Sequence, residues 1–170
     1  MALDISGRDG AVGKVHAAGT WQCPTARTQL AEALGDPLGA ALRASFEWYY
    51  CRGAFFHNDA HYDARLFGVW CITTPRCDLV FPRIDVRVAV ASGSIVVFDP
   101  FEVHGVLVPG HSAYTAGDYQ CSGASVFLGF ELDITRAVAD LFGIHDRTDP
   151  GFVISSQTRI DAASGKVDFG

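Results

Sequence analysis

The chain has 170 residues, of which 49% are hydrophobic and 19% are charged, and its net charge is −6. This length suits one ordinary domain, and the apolar fraction is high enough for a core and too high for a disordered tail. No Lys/Arg-rich run occurs, which excludes a nucleic-acid groove built on bulk positive charge. No apolar run is long enough to cross a bilayer, so we expect no membrane partner.

The cysteines lie at positions 23, 51, 71, 77 and 121, and no two have the C-x-x-C spacing of a zinc or redox motif. The chain also lacks the charged start and apolar run of a secretory signal. We therefore expect a reduced, cytoplasmic protein whose cysteines serve as small hydrophobic side chains.

The first 45 residues predict an arm followed by a broken helix. Residues 1–20 are rich in Gly and Ala, which indicates a loose arm or an edge strand. From Pro24 to Ser45, apolar residues recur at helical spacing. The segment Gly35-Asp36-Pro37 interrupts this pattern, so we expect the helix to form in two pieces.

Residues 46–132 change to the pattern of short strands. Strands are predicted over 46–50, 66–73, 79–81, 84–90, 94–98, 103–108 and 124–132, with Gly, Pro and Asp between them. This spacing predicts a jelly-roll sandwich or barrel. A short helix is expected over 134–142, followed by a wrapped tail. The chain is therefore predicted to be one domain, mainly β with flanking helices, divided into segments 1–45, 46–132 and 133–170.

An H-x-D triplet, His57-Asn58-Asp59, ends an aromatic segment. Residues i and i+2 of a strand point to the same side, so this imidazole and this carboxylate can converge on one ion. The strand that ends at Phe98 leads on to His104, which offers a third ligand. Two histidines and one carboxylate on one face leave open positions, as in non-haem Fe(II) oxygenases.

Other polar residues near the triplet have alternative interpretations. His61 would share a strand face with His57 and Asp59, and a cupin-type metal site could use both histidines; a position above the metal or in an exposed loop is the other possibility. Glu102, two residues before His104, is expected to face away or to orient that histidine.

Two motifs resemble the Fe(II)/2-oxoglutarate-dependent dioxygenase superfamily. Tyr50-Cys51-Arg52-Gly53 followed by His57-Asn58-Asp59 resembles the Y-x-x-G…H-x-D entry of that superfamily. Gly93-Ser94-Ile95-Val96-Val97-Phe98, with His104-Gly105-Val106 after it, resembles its later strand and distal-histidine turn. The similarity covers about residues 46–132. It implies a double-stranded β-helix with His57, Asp59 and His104 as Fe(II) ligands.

The chain departs from that superfamily where the cosubstrate is bound. The resemblance implies an Arg or Lys shortly after the distal histidine, because a cation there pairs with the far carboxylate of 2-oxoglutarate. No Arg or Lys occurs between His104 and Arg136. Another strand would have to supply the cation. The candidates for binding 2-oxoglutarate are Arg65, Arg83 and Arg87 as cations, and Tyr50 and Ser125 as hydroxyl donors.

Three functions are compatible with these residues. The first is an Fe(II)- and 2-oxoglutarate-dependent oxygenase that hydroxylates a small-molecule or peptide substrate. The second is a cupin-like metalloenzyme that activates its substrate directly on the metal, which the missing cation favours. The third is a non-catalytic barrel that keeps the metal site for binding or sensing. The sequence predicts neither the substrate nor the oligomeric state.

Overall fold

The computed structural model describes residues 11–59, 61–62, 64–120, 123–144 and 159–168. This part of the chain forms strands and three α-helices, α1 (Pro24–Leu34), α2 (Leu38–Ala41) and α3 (Arg136–Phe142). The strands are β1 (Val15–Trp21), β2 (Leu42–Cys51), β3 (Ala54–His57), β4 (Arg65–Thr73), β5 (Cys77–Phe81), β6 (Val86–Val90), β7 (Ile95–Phe98), β8 (His104–Leu107), β9 (Ser125–Asp133), β10 (Arg159–Ile160) and β11 (Val167–Asp168).

Strands β1 to β9 form two antiparallel sheets. One sheet has the order β1-β2-β9-β4-β7 and the other has the order β3-β8-β5-β6. Strand β2 pairs with β9, β3 with β8, β4 with β7 and β5 with β6. This pairing is that of a double-stranded β-helix, so the predicted jelly-roll fold is confirmed.

The five-stranded sheet is apolar on both faces. Its outer face carries Phe46 and Trp48 of β2 and Leu128 and Phe130 of β9, which pack in one core with helix residues such as Leu30. The alternate residues of the same strands face the four-stranded sheet, because successive side chains of a strand point to opposite faces. The helices thus cover one face and leave the other to the interior of the barrel.

The turn between β2 and β3 requires a glycine. Gly53 has a φ of +65°, a conformation that side chains with a Cβ rarely adopt. A Cβ at this position would also lie 2.5 Å from the ring of Tyr119. Gly53 therefore permits the tight passage from one sheet to the other, just before the H-x-D segment.

The predicted second helical piece is wrong at its end. Helix α2 stops at Ala41, and Leu42 begins β2 by pairing with Leu132 of β9. Leu42 is 3% exposed, so it packs in the core as the helical spacing suggested, but it does so from a strand. Pairing with the central strand β9 outweighs the local helical pattern.

Other differences concern the edges of elements. Residues 15–20 form an edge strand, one of the two alternatives predicted there, whereas Ile84 lies in the turn before β6. The predicted tail contains the hairpin β10-β11, whose Ile160 and Val167 pack against the smaller core around Phe56. The rest of the predicted arm and tail, residues 1–10, 145–158 and 169–170, lies outside the described residues. No helix among the described residues is long and apolar enough to span a membrane.

An ion pair between a buried carboxylate and an exposed arginine joins β5 to β6. The Asp78 side chain is only 8% exposed; its carboxylate accepts a 2.6 Å hydrogen bond from Arg87 and a 3.0 Å bond from the Gly110 N–H. Burial acts to raise the pKa of Asp78, but these hydrogen bonds and the charge of Arg87 outweigh it and hold the pKa below its usual value.

Replacing this carboxylate is expected to destabilise the fold. Asp78→Asn should lower the free energy of unfolding by about 1–3 kcal/mol at pH 7, because it leaves the guanidinium of Arg87 without its counter-charge. Since the folded pKa is depressed, the contribution is present above the unfolded pKa and is lost as the pH falls through the folded value. Urea denaturation at pH 7 and at about pH 3 measures both effects.

The control is Asp140→Asn, which removes the partner of Arg136 in a pair whose side chains are 71% and 95% exposed. It should change the unfolding free energy by no more than about 0.5 kcal/mol. Equal stability of Asp78→Asn and the parent protein at pH 7 would contradict the role given to Asp78.

Candidate metal centre

The two histidines face each other across a strand pair. His57 ends β3 and His104 begins β8, and the two residues are direct partners in the antiparallel register. Their ring centroids lie 4.5 Å apart. The Asp59 N–H donates a 2.8 Å hydrogen bond to the Pro100 carbonyl, which joins the segment after β3 to the segment before β8. The fold therefore brings both ends of the motif to one edge of the four-stranded sheet.

The side chains of this triad converge on one point. The Asp59 carboxylate lies 3.9 Å from the His57 Nε2 and 3.7 Å from the His104 Nε2. One ligand atom from each of the three residues lies within 4.8 Å of the other two. Two imidazole nitrogens and one carboxylate oxygen at this separation could hold one metal ion.

Backbone carbonyls fix both imidazoles. The Nδ1 of His57 donates to the Phe55 carbonyl at 2.7 Å, and the Nδ1 of His104 donates to the Glu102 carbonyl at 2.8 Å. Since each Nδ1 donates to a carbonyl, the Nε2 is the ring nitrogen left to bind a metal in the neutral imidazole. Such an outer hydrogen bond is a regular feature of metal-binding histidines, so the residues present fit a metal ion.

Glu102 acts on His104 through its backbone. Its carboxylate is turned to Arg83, which donates 2.9 Å and 2.6 Å hydrogen bonds to the two carboxylate oxygens. The side chain of Glu102 therefore faces away from His104, and its backbone carbonyl orients the His104 ring. Both alternatives expected for Glu102 occur together. The Arg83–Glu102 pair clamps the segment that carries this carbonyl.

His104 is the more buried of the two histidines, with 5% of its surface exposed. Burial lowers its pKa to about 4, and the neighbouring His57 acts in the same direction. His104 is therefore neutral at physiological pH, which is the form that binds metals.

The triad borders a cavity of about 410 Å³ inside the barrel. Most of its wall is apolar and comes from the inward faces of both sheets. Burial raises the pKa of Cys51 and of Cys77 to about 12, so these thiols of the wall stay protonated and apolar in character. Among the described residues that line the cavity there is no Arg or Lys. The lining comprises Val15, Ala17, Glu47, Tyr49, Cys51, Ala54, His57, Asp59, His61, Tyr62, Phe67, Val69, Cys71, Thr74, Cys77, Leu79, Val90, Phe98, His104, Val106, Ser125 and Phe127.

The arginines predicted to bind a cosubstrate are engaged elsewhere. Arg65 shares a strand with cavity residues, but its guanidinium donates to Glu131 and it does not line the cavity. Arg87 is paired with Asp78 on the other sheet, and Arg83 with Glu102. These partners are carboxylates 9 to 66 positions away along the chain, and the order and register of the strands determine which of them each arginine meets.

The two residues predicted as hydroxyl donors lie on opposite faces of the five-stranded sheet. Ser125 of β9 lines the cavity. Tyr50 of β2 lies on the outer face, where it packs against the main core and stacks on His16 with ring centroids 5.1 Å apart. The tyrosine of β2 that faces the cavity is Tyr49, one residue earlier. A shift of one residue along a strand moves a side chain to the opposite face.

His61 lines the cavity but does not belong to the converging group. It is exposed and packs against Tyr62 with ring centroids 4.1 Å apart. Among the described residues, only His57, Asp59 and His104 bring ligand atoms together. His61 is thus an exposed histidine of the cavity wall, and its position above a metal or in an exposed loop stays a prediction.

Sequence reasoning missed three other polar residues of the cavity wall. Glu47 and Tyr49 of β2 and Tyr62 of the segment after β3 line the cavity and are hydrogen-bonded to one another. The alternation of Phe46-Glu47-Trp48-Tyr49-Tyr50 carried the signal for Glu47 and Tyr49, because residues two positions apart on a strand lie on the same face.

The sequence matches no family model and no curated protein sequence. Solved structures with a similar arrangement of strands include ectoine synthase from P. lautus, with 11% identity, coverage of 89% of this chain and 96% of that chain, and a TM-score of 0.39. A cupin superfamily protein from Desulfitobacterium hafniense has 7% identity, coverage of 74% and 84%, and a TM-score of 0.36. A predicted oxalate decarboxylase from Thermotoga maritima has 12% identity, coverage of 61% and 73%, and a TM-score of 0.36.

Removing any member of the triad should abolish tight metal binding. In anaerobic calorimetric titrations with Fe(II), His104→Ala and Asp59→Ala are expected to weaken binding by at least about 100-fold. Each variant removes a direct ligand, and this costs more affinity than the loss of a hydrogen bond to a ligand, which costs about 10- to 100-fold. The matched control is His61→Ala, which removes a histidine of the same cavity and should leave the affinity unchanged. Equal losses in all three variants would contradict the assignment.

Proposed function

We propose that the protein is a metal-dependent enzyme whose small substrate binds directly to a divalent metal, most simply Fe(II), held by His57, Asp59 and His104. The observation that carries this proposal is the convergence of three ligand groups at the wall of a largely apolar cavity. Two nitrogens and one carboxylate oxygen are the donor set of non-haem Fe(II) sites with open positions.

The chain's own residues supply orientation and apolar surroundings. The carbonyls of Phe55 and Glu102 hold the two imidazoles so that their Nε2 atoms face one point. Apolar side chains such as Leu79 and Phe98 surround the remaining space. A bound divalent ion supplies Lewis acidity and, as iron, one-electron chemistry.

The charges of the cavity favour direct binding of substrate over a 2-oxoglutarate cosubstrate. A dicarboxylate would need a cation for its far carboxylate, since an unpaired buried charge is costly. Among the described lining residues none is a cation, and Arg65 and Arg87 are already paired with carboxylates. The cavity wall also carries Glu47, which would repel a second carboxylate.

A 2-oxoglutarate-dependent oxygenase is the second candidate. The order His-x-Asp followed by a distal histidine on β8 favours it, as does the hydroxyl of Ser125 in the cavity wall. In this alternative the cosubstrate would be held mainly by the metal and by neutral hydroxyl groups.

One spectroscopic experiment separates these candidates. The protein is loaded anaerobically with Fe(II) and exposed to nitric oxide, whose binding to iron gives an electron paramagnetic resonance signal when an open position exists. We expect a signal in the parent protein and in His61→Ala, and none in His104→Ala. Adding 2-oxoglutarate should leave the signal unchanged and produce no visible charge-transfer band.

The other outcomes overturn the proposal. A charge-transfer band that appears with 2-oxoglutarate, and is lost in Asp59→Ala, would favour the second candidate. Tight Fe(II) binding with no nitric oxide signal would mean that the site has no open position. The protein would then be a non-catalytic metal-binding barrel.

A further inference from the structure

Three polar side chains of the cavity wall, Glu47, Tyr49 and Tyr62, form a hydrogen-bonded chain, which we call the tyrosine relay. Tyr49 donates to the Glu47 carboxylate at 2.6 Å, and the hydroxyl oxygens of Tyr49 and Tyr62 are 3.0 Å apart. All three residues line the same cavity as His57, Asp59 and His104. The relay and the triad therefore face the same ligand space.

The hydrogen bonds of the relay have one direction. The hydroxyl of Tyr49 has one proton, and Glu47 accepts it. The contact between the two tyrosines must then use the proton of Tyr62. With its own proton given to Tyr49, the oxygen of Tyr62 can only accept a further hydrogen bond. The relay thus presents an acceptor, not a donor, to a molecule in the cavity.

Packing holds the relay in place. The ring of Tyr49 stacks on Phe127 at a centroid distance of 5.4 Å and an angle of 16°. The ring of Tyr62 packs on Phe67 at 4.9 Å. A Cβ at Gly129 would lie 2.6 Å from the Tyr49 ring and 2.8 Å from the Phe67 ring, so this glycine provides the space that both rings need.

The backbone ties the relay to the metal segment. The Tyr62 N–H donates a 3.1 Å hydrogen bond to the carbonyl of Asp59. A short turn therefore carries a triad residue and the acceptor end of the relay together. Their relative position is set by local structure, as is needed for recognising two ends of one molecule.

The charge of the cavity limits what the relay can bind. The described lining residues include the carboxylates Glu47 and Asp59 and no Arg or Lys. When Asp59 holds a divalent metal, the remaining negative charge lies at the relay. An anionic group there would be repelled, whereas a hydroxyl or an ammonium group supplies the proton that Tyr62 accepts.

We infer that the tyrosine relay is a substrate-recognition subsite that accepts a hydrogen bond from a hydroxyl or ammonium group of a small molecule whose other end binds the metal through an oxygen. This inference rests on the proposed function, since it requires the substrate to occupy open metal positions. The substrate class is therefore a compact molecule with an anionic oxygen ligand at one end, an apolar middle and a hydrogen-bond donor at the other end.

A series of short carboxylates tests this inference. Unbranched carboxylates of about three to six carbons, with a terminal methyl, hydroxyl or ammonium group, are titrated into the Fe(II) protein, and binding is followed by the change in the nitric oxide signal. At one chain length, the hydroxy or amino compound should bind about 5- to 10-fold more tightly than the methyl compound. Tyr62→Phe should reduce this ratio to about 1 and leave binding of Fe(II) and of the methyl compound unchanged.

Two further variants separate the two donor groups and check the geometry. Glu47→Gln keeps an acceptor for Tyr49 but removes the charge, so it should reduce the preference for the ammonium compound more than that for the hydroxyl compound. Gly129→Ala should weaken the preference for both by displacing the Tyr49 ring. The control is Tyr114→Phe, a half-buried tyrosine that does not line the cavity, which should leave the ratio as it is in the parent protein.

The outcomes distinguish this inference from the function on which it rests. If the methyl compounds bind and neither the hydroxyl nor the ammonium group adds affinity at any chain length, the relay is not a recognition subsite and the proposed function stands. The same holds if Tyr62→Phe leaves the ratio unchanged. If no carboxylate binds to the Fe(II) protein, the proposed function fails and this inference falls with it.

Discussion

The direct pairing of β3 with β8 is the constraint on which the rest of the site depends. It places His57 opposite His104, while the hydrogen bond from Asp59 to Pro100 closes the same edge of the sheet. These contacts are made by backbone groups, so the positions of the ligands follow from the register of the strands. A slip of one residue would turn one histidine away from the cavity.

The same pairing places the candidate metal ligands on one wall of the cavity. The ligand side chains enter from the four-stranded sheet, and the tyrosine relay enters largely from β2 of the five-stranded sheet. Between them lies an apolar space whose thiols are kept protonated by burial. In the proposed function, a substrate in this space would bind a metal held by the triad and donate a hydrogen bond to the relay. Such a site would select by the distance and type of two polar groups.

Much of the fold and of the triad could be predicted from the sequence because both follow local rules. The change of period after Phe46, and the glycines and prolines between apolar segments, indicate a jelly roll. The H-x-D spacing brings two candidate ligands to the same strand end, with His57 as the last residue of β3 and Asp59 two residues beyond it. The segment 42–45 was predicted incorrectly because Leu42 satisfies a helical and an extended pattern equally, and only its pairing with Leu132 distinguishes them.

The partners of the arginines and the face of each tyrosine could not be predicted in this way. Arg65 meets Glu131 across 66 positions of the chain, so its ion pair depends on the order of the strands. Tyr49 and Tyr50 are adjacent, and only the register of β2 determines which of them enters the cavity. The sequence therefore predicts the kind of site better than it predicts the residues that surround it.

The position of a bound metal tests the central claim most directly. Crystals of the protein loaded anaerobically with Fe(II) would be measured on both sides of the iron absorption edge. The account predicts one anomalous peak within about 2.0–2.3 Å of the Nε2 atoms of His57 and His104 and of a carboxylate oxygen of Asp59. A peak bound by other residues, or no peak at this edge of the barrel in protein that retains stoichiometric iron, would contradict it.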